Sequence, residues 1–150
     1  MNSETKSATI LEDMKINVKI KLSALWVTVN LLYLYVDLYY NYRPGIIEKI
    51  MAGEVAFTGI EVTQAFLLVV IILMTIPSIM VFLSLILPAK ANRWTNIIVG
   101  IFEIIFVIGA AIGETWAYYI FASIVEVVLL SLIVWYAWKW SKVSPKMEFS

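Results

Sequence analysis

Four long apolar segments constrain the fold of this chain more than any other feature of its sequence. They run approximately over residues 22–41, 62–87, 94–112 and 116–140. Each has the roughly 20 residues that a helix needs to cross about 30 Å of hydrocarbon. Backbone groups in lipid must be hydrogen-bonded within their own segment, so each span is predicted to be an α-helix. We therefore expect an all-α membrane protein, a four-transmembrane-helix bundle.

The composition agrees with a chain embedded in lipid. The sequence is 62% hydrophobic and 15% charged, whereas soluble domains are about half apolar and a quarter charged. We expect one transmembrane domain over residues 22–140, between an N-terminal tail of residues 1–21 and a C-terminal tail of residues 141–150. Within the first tail, Thr9 to Glu12 fits a helix capping box and predicts a short juxtamembrane helix. The residues after it, 15–22, alternate as in a strand.

The distribution of basic residues predicts the orientation. Nine of the 11 Lys and Arg residues lie in the tails, in the loop between spans two and three, or at the end of span four as Lys139, and only Arg43 and Lys49 lie on the other side. Cytoplasmic loops are enriched in Lys and Arg, so both termini are predicted to be cytoplasmic, in the cell membrane. Aromatic residues at both ends of the spans agree, with Trp26 and Trp94 predicted at the cytoplasmic interface and Trp116 at the outer one.

The loops are unequal in length. Residues 88–93 predict a short cytoplasmic turn and residues 113–115 a tight outer one, so neighbouring helices should be antiparallel. The first outer loop is longer, and Pro44 and Gly53 are placed to begin and end a short helix within it. Its apolar face would lie in the outer interface or cap the bundle; that face comprises Ile46, Ile47, Ile50 and Met51.

The absence of Cys and His from the sequence excludes several kinds of chemistry. Thiol chemistry, zinc sites built on Cys or His, histidine-held haem and Ser–His or Cys–His nucleophiles cannot be assembled. The sequence has no basic patch interleaved with aromatic residues, so nothing in it indicates a nucleic-acid partner. We expect no enzyme activity, no catalytic residue and no cofactor, and the sequence leaves a metal site open.

Polar residues recur at spacings of three and four in each span, which collects them on one helical face. Because left-handed helix packing needs this repeat, the four polar stripes are predicted to face one another. The stripes are Ser23, Trp26, Asn30, Tyr33, Asp37 and Tyr40; Gln64, Leu68, Ile71, Thr75 and Ser78; Asn96, Gly100, Glu103, Val107, Ala110 and Glu114; and Tyr119, Ser123, Glu126, Leu130, Ile133 and Ala137.

The acidic residues of these stripes are the candidate functional residues. Glu103 and Glu126 are each about 15 Å from the nearest predicted interface, so both should lie near the midplane as a pair. Asp37, Gln64 and Glu114 would form an acidic vestibule nearer the outer surface. No basic residue lies deep in any span to neutralise these acids. Either the glutamates carry protons, because burial and mutual repulsion favour the neutral form, or a cation visits them.

Two uses of the glutamates remain open. They could hydrogen-bond across helices to Asn30, Tyr33, Thr75 or Ser123 and hold the bundle together. Alternatively they could bind or conduct protons, a metal cation or an organic amine. The candidate ligand set is then Glu103, Glu126, Asp37, Asn30, Gln64 and Tyr33. Pro77 is expected to kink span two, either to fit the bundle or as a hinge.

Three segments carry a resemblance to a known family. They are PSIMVFLSLILPAKANRWTNI, from Pro77 to Ile97, YLYVD before it, and EVVLLSLIVWYAWKW near the end. Over residues 18–140, the chain resembles a family of small bacterial four-helix membrane proteins. This family is known only as a domain of unknown function. In architecture it is loosely similar to DoxX-like proteins, some of which are small subunits of redox complexes or assembly factors. Neither resemblance implies a functional residue.

Two functions of different class follow from these observations. The first is a small transporter or binding protein for a cation, proton or organic amine, acting through the buried carboxylates. The second is a non-catalytic subunit or an assembly and interaction factor of a membrane complex, whose polar stripes serve packing. A hydrated cavity that reaches the glutamates favours the first, and a closed, dry bundle favours the second. The partner, whether a second copy or another membrane protein, is not determined.

Overall fold

The computed structural model describes residues 14–55 and 58–140, and its architecture is a bundle of four long helices. The helices are α1 (Val18–Tyr40), the short α2 (Ile46–Met51), α3 (Gln64–Ile86), α4 (Ala89–Ala111) and α5 (Ala117–Trp138). Two short strands, β1 (Glu54–Val55) and β2 (Ile60–Glu61), pair antiparallel between α2 and α3. Helices α1, α3, α4 and α5 are long and apolar enough to cross a membrane. The predicted all-α four-helix membrane bundle is thereby confirmed.

The four long helices form a ring in the order α1, α3, α4, α5. Helix α1 packs against both α3 and α5, whereas the contact between α3 and α4 is the least extensive of the four. Lys19 Nζ donates a 2.7 Å hydrogen bond to the carbonyl of Leu87, which places the start of α1 beside the end of α3. We call this the terminal end of the bundle. The opposite end, which carries residues 41–55 and 58–63 and the α4–α5 turn, is the loop end.

Two helices begin earlier than predicted. Helix α1 begins at Val18, where the Asn17 side chain accepts a hydrogen bond from the Lys19 N–H, so the strand-like alternation of residues 15–22 does not form a strand. Helix α4 begins at Ala89, so most of the turn predicted over residues 88–93 is helical. Pro88 precedes it, and proline both disfavours continuation of α3 and fits a helix start. The capping box from Thr9 to Glu12 and the C-terminal tail lie outside the described residues.

The loop end contains the predicted short helix and a hairpin that was not predicted. Helix α2 starts at Ile46 rather than at Pro44, directly after Gly45, whose φ of 82° suits glycine. Ile46 is fully buried, and only this residue of the predicted apolar face caps the bundle. The rest of the face is exposed, namely Ile47, Ile50 and Met51.

Three of the four predicted stripes face the interior along most of their length. In α1, α4 and α5 the buried residues include Trp26, Glu103 and Glu126. The stripe predicted for α3 is wrong: Gln64, Leu68 and Ile71 are exposed, and the buried residues are Pro77, Met80 and Ser84. The Thr75 hydroxyl donates to the Ile71 carbonyl within its own helix, so this polar side chain needs no partner in the interior.

The terminal half of the bundle is joined by buried polar contacts among three helices. Trp26 Nε1 in α1 donates a 2.7 Å hydrogen bond to Asn96 Oδ1 in α4. Asn96 Nδ2 donates to Asn92 Oδ1, and Asn92 Nδ2 donates a 2.6 Å bond to the carbonyl of Ser84 in α3. Trp26 is fully buried here and is therefore not the interface residue that the sequence predicted. These bonds satisfy polar groups that would otherwise destabilise a buried core.

Candidate functional site

Glu126 is a buried carboxylate on the inner face of α5. It belongs to the heptad-like series Ser123, Glu126, Leu130, Ile133, whose members are all buried, so helix packing turns its side chain away from lipid. Only 4% of its surface is exposed. Among the described residues, its Oε1 atom has no hydrogen-bond partner. A buried carboxylate oxygen in this condition is rare in proteins.

Glu126 lines a cavity in the loop half of the bundle. The cavity has a volume of about 70 Å³ and is bounded by residues of α1, α3, α4 and α5. Its polar lining consists of Tyr33 and Asp37 from α1 and Tyr119, Ser123 and Glu126 from α5. No basic side chain is among the lining residues. The structure thus brings together Glu126, Asp37 and Tyr33 of the predicted ligand set, two of them acids.

Glu103 has a different environment from Glu126. It is 2% exposed, and its Oε2 atom accepts a 3.0 Å hydrogen bond from the Tyr33 hydroxyl. Glu103 is not among the residues that line the cavity. The two glutamates are therefore not equivalent members of a pair: Glu103 joins α4 to α1 through Tyr33, as the packing interpretation expected, whereas Glu126 faces the cavity.

The two amide residues of the predicted set lie elsewhere. Asn30 donates to the carbonyls of Trp26 and Pro77, and its Oδ1 atom lies 2.8 Å from the Ser78 hydroxyl. These bonds join α1 to α3 and do not connect Asn30 with either glutamate. Gln64 is the first residue of α3, is exposed, and is not among the cavity-lining residues. Gln64 therefore does not line an acidic vestibule with Asp37 and Glu126.

Glu114 does not belong to an acidic vestibule either, because Arg43 neutralises it. Arg43 Nη1 lies 2.9 Å from Glu114 Oε2, and Arg43 Nε donates a 2.8 Å hydrogen bond to the Tyr118 hydroxyl. The pair is largely buried, with side-chain exposures of 8% and 13%. From the sequence, Arg43 was interpreted only as an outer charge. Two sequence features could have indicated the ion pair: Arg43 follows a run of tyrosines, and Glu114 is the single acid of the α4–α5 turn.

Aromatic rings enclose the Arg43 guanidinium. Its Cζ atom lies 4.6 Å from the ring centre of Tyr40, and 5.1 to 5.4 Å from those of Trp116, Tyr118 and Tyr119. Ring faces attract a cation at these distances. We call Arg43, Glu114 and these four rings the arginine cluster. It fixes the start of the long loop to the α4–α5 turn.

Hydrogen bonding dominates the ionisation of Glu114. Burial opposes ionisation, but the backbone N–H groups of Trp116 and Thr115 and the Arg43 guanidinium all donate to the carboxylate and lower the pKa of Glu114 below its ordinary 4.5. Burial likewise opposes the charge of Arg43, and its bonds to Tyr118 and Glu114 outweigh this and raise the pKa of Arg43. Both residues are therefore charged at neutral pH.

The fold and the cavity define a class: a small four-helix membrane protein that has a small acidic cavity in one half of the bundle. Residues 9–145 match DUF6326, a family of unknown function, and the chain belongs to that family. This confirms the predicted membership of an uncharacterised family. No curated protein and no solved structure matches the chain.

Proposed function

We propose that this protein binds a small organic cation within the membrane, with Glu126 as the principal ligand and Asp37 as the second acid. The observation that carries the proposal is Glu126 Oε1, which is buried in the cavity wall and lacks a hydrogen-bond partner among the described residues. An unpaired buried carboxylate is costly, and a proton or a cation relieves that cost. An ammonium group would relieve it with both charge and hydrogen-bond donors.

The size and lining of the cavity favour an amine. A volume of about 70 Å³ holds a group of a few heavy atoms and is far below the several hundred cubic ångströms of a drug-sized site. Tyr33 and Tyr119 supply aromatic rings beside the two acids, and aromatic rings attract alkylammonium ions. Protons and metal cations remain the other ligands of this hypothesis, and transport across the membrane is an extension of it.

The test is ligand-dependent thermal stabilisation of the purified full-length chain, with methylammonium at pH 7 as the probe. At one hundred times its Kd, a ligand raises the free energy of unfolding by about 2.7 kcal/mol. We expect this stabilisation in the parent and its loss in Glu126→Gln, because the amide has no charge to attract the ammonium. Asp37→Asn should weaken binding without abolishing it.

Glu103→Gln is the matched control. It changes the same side chain at a buried position of α4, and the Gln carboxamide oxygen can still accept the Tyr33 hydrogen bond. We expect this variant to retain methylammonium binding within about twofold. Equal loss of binding in both glutamine variants would show that the cavity does not distinguish the two acids. Binding that survives Glu126→Gln would refute the proposal.

A second candidate function is a non-catalytic subunit or assembly factor of a membrane complex. The exposed apolar residues of α2 favour it, because Ile47, Ile50 and Met51 lie outside the spans. Replacement of Ile47 and Ile50 by Asn should then release a co-purifying membrane protein and leave methylammonium stabilisation unchanged. Failure of methylammonium to stabilise the parent, together with such a release, would favour this function over the first.

A further inference from the structure

The outer surface of the bundle has a groove between α1 and α3, which spans the middle of both helices and extends toward the cavity. It has a volume of about 520 Å³, and its walls are largely apolar, with Leu31 and Leu34 from α1 and Ile71 from α3. Leu34 is 66% exposed, so the groove opens toward the surface that hydrocarbon covers. We call it the lateral groove.

The lateral groove and the acidic cavity meet at three residues. Tyr33, Asp37 and Met74 line both of them. The two spaces are therefore separated by no more than these side chains, and Asp37 presents a carboxylate at the junction. Helix α3 permits this opening because none of its residues before Pro77 is buried. A molecule lying in the groove could place one end beside Glu126.

We propose that the ligand of this site is an amphipathic amine with a single alkyl chain, whose ammonium group lies between Glu126 and Asp37 and whose chain lies in the lateral groove. The inference rests on the proposed function and names the ligand class of the same site. The cavity of about 70 Å³ has room for the ammonium and its first carbons only, whereas the groove is several times larger. Such a ligand enters sideways from the hydrocarbon.

Charge complementarity selects this occupant. A carboxylate at the junction attracts a cation and repels the phosphate that a phospholipid carries next to its amine. The apolar walls match an alkyl chain and offer little to a hydrophilic amine. A second copy of the protein would need a cationic side chain to complement Asp37 and Glu126. In the described part of the chain, no spanning helix carries a lysine or arginine at the depth of Glu126.

The experiment compares methylammonium with octylammonium on the purified full-length chain in a neutral detergent. Because each buried methylene favours binding, the parent should bind octylammonium at least about tenfold more tightly. Leu34→Trp fills the groove without altering either carboxylate, and it should reduce that advantage to about threefold or less. Its methylammonium affinity should stay within about twofold of the parent value.

Ile105→Trp is the matched control. Ile105 is also 66% exposed, lies on α4, and is not among the residues lining the groove. The variant adds the same side chain to the lipid-facing surface, so it should retain the full chain-length advantage. Octanol, which has the chain without the charge, should give no stabilisation that depends on Glu126. If Leu34→Trp fails to fold, Ile71→Trp fills the groove from the opposite wall and replaces it.

The outcomes separate this inference from the proposed function. Two results would overturn the inference alone, provided that methylammonium binding still depends on Glu126. In the first, octylammonium binds no more tightly than methylammonium. In the second, octylammonium binds more tightly but keeps that advantage in Leu34→Trp. Failure of both amines to bind would overturn both. If Leu34→Trp and Ile105→Trp lose the tighter binding of octylammonium equally, that tighter binding comes from the detergent-covered surface in general. This result would also overturn the inference.

Discussion

Arg43 carries much of the electrostatic stabilisation at the loop end. Replacing it by Met keeps an unbranched side chain but leaves the largely buried Glu114 carboxylate without its cation. Breaking a buried ion pair in this way costs about 3 kcal/mol, because the remaining charge is desolvated and uncompensated. We expect Arg43→Met to lower the free energy of unfolding at pH 7 by this amount, as measured by denaturation in detergent. Lys49→Met is the control: its pair with Glu54 is exposed, so the loss should be at most about 1 kcal/mol.

The arginine cluster also predicts a pH dependence. Because folding lowers the pKa of Glu114 below 4.5, the stabilisation is fully present above pH 4.5 and is lost as the pH falls through the lowered value. Arg43 stays charged throughout this range. The stability difference between the parent and Glu114→Gln should therefore shrink under acid conditions, measured as Tm against pH. A difference that stays constant from pH 7 to acid would show that the carboxylate charge does not contribute.

For single residues, the sequence predicted Glu126 as a candidate functional residue but did not predict the ion pair of Arg43. Glu126 could be found because a carboxylate in an apolar segment at heptad spacing is conspicuous. The difference between its environment and that of Glu103 could not be found in this way, since it depends on Tyr33 bonding to one acid and on the cavity opening at the other. The role of Arg43 depends on a contact between two loops that are distant in sequence, and no sequence periodicity predicts such a contact.

Among the described helices, α4 and α5 make the most extensive contact, and Gly100 lies within it. A Cβ atom added at Gly100 would lie 2.8 Å from Val134 Cγ2. Val134 is β-branched and holds its rotamer stiffly, so the helices must separate. Gly100→Ala should lower stability by about 1–3 kcal/mol, measured as thermal unfolding in detergent. Adding Val134→Ala should recover part of the loss, since the small side chain removes the close contact.

Gly109, in the same helix, provides the control for this substitution. A Cβ atom there would have no neighbour within 4 Å. Gly109→Ala should therefore be neutral or should stabilise the protein by up to about 1 kcal/mol through helix propensity. If Gly100→Ala were equally well tolerated, the close contact between α4 and α5 would have no energetic importance.

At the scale of elements, the sequence predicted three helix faces correctly and α3 wrongly. Polar residues mark an inner face only when they need partners on other helices. Thr75 bonds to its own helix, and Gln64 lies at a helix end, so neither had to turn inward. The buried residues Met80 and Ser84 gave a weaker pattern in a segment that is apolar all round. The two helix starts differ from the prediction for local reasons: the Asn17 side chain caps α1, and Pro88 ends α3 and precedes α4.

The orientation of the whole molecule is a prediction that labelling can test. The chain has no cysteine, so single cysteines can be placed without background. Positive charge is concentrated at the terminal end, and we expect that end to be cytoplasmic. In intact bacterial cells, a membrane-impermeant maleimide should label Thr58→Cys at the loop end and should not label Lys90→Cys. Permeabilised cells should label both. The reverse pattern in intact cells would contradict the predicted orientation.

For the molecule as a whole, hydrophobicity and length were sufficient to predict the class of fold. The bilayer leaves a segment of this kind no alternative to a helix, so four such segments give a four-helix bundle. The ring order, with α1 packing between α3 and α5, was not predictable, because every helix has an apolar face that suits lipid or a neighbour. The cavity was not predictable for the same reason, because its lining combines residues of all four long helices.

Under the proposed function, the carboxylates of Glu114 and Glu126 differ in the source of their counterion. Glu114 receives Arg43 from its own chain, and tethering of this kind corresponds to an effective concentration that dilution cannot lower. Glu126, under the proposed function, receives a cation from the surroundings, so its occupancy follows the free ligand concentration. Washing and dilution during purification should therefore leave the ion pair at the loop end unchanged while they reduce ligand occupancy at Glu126.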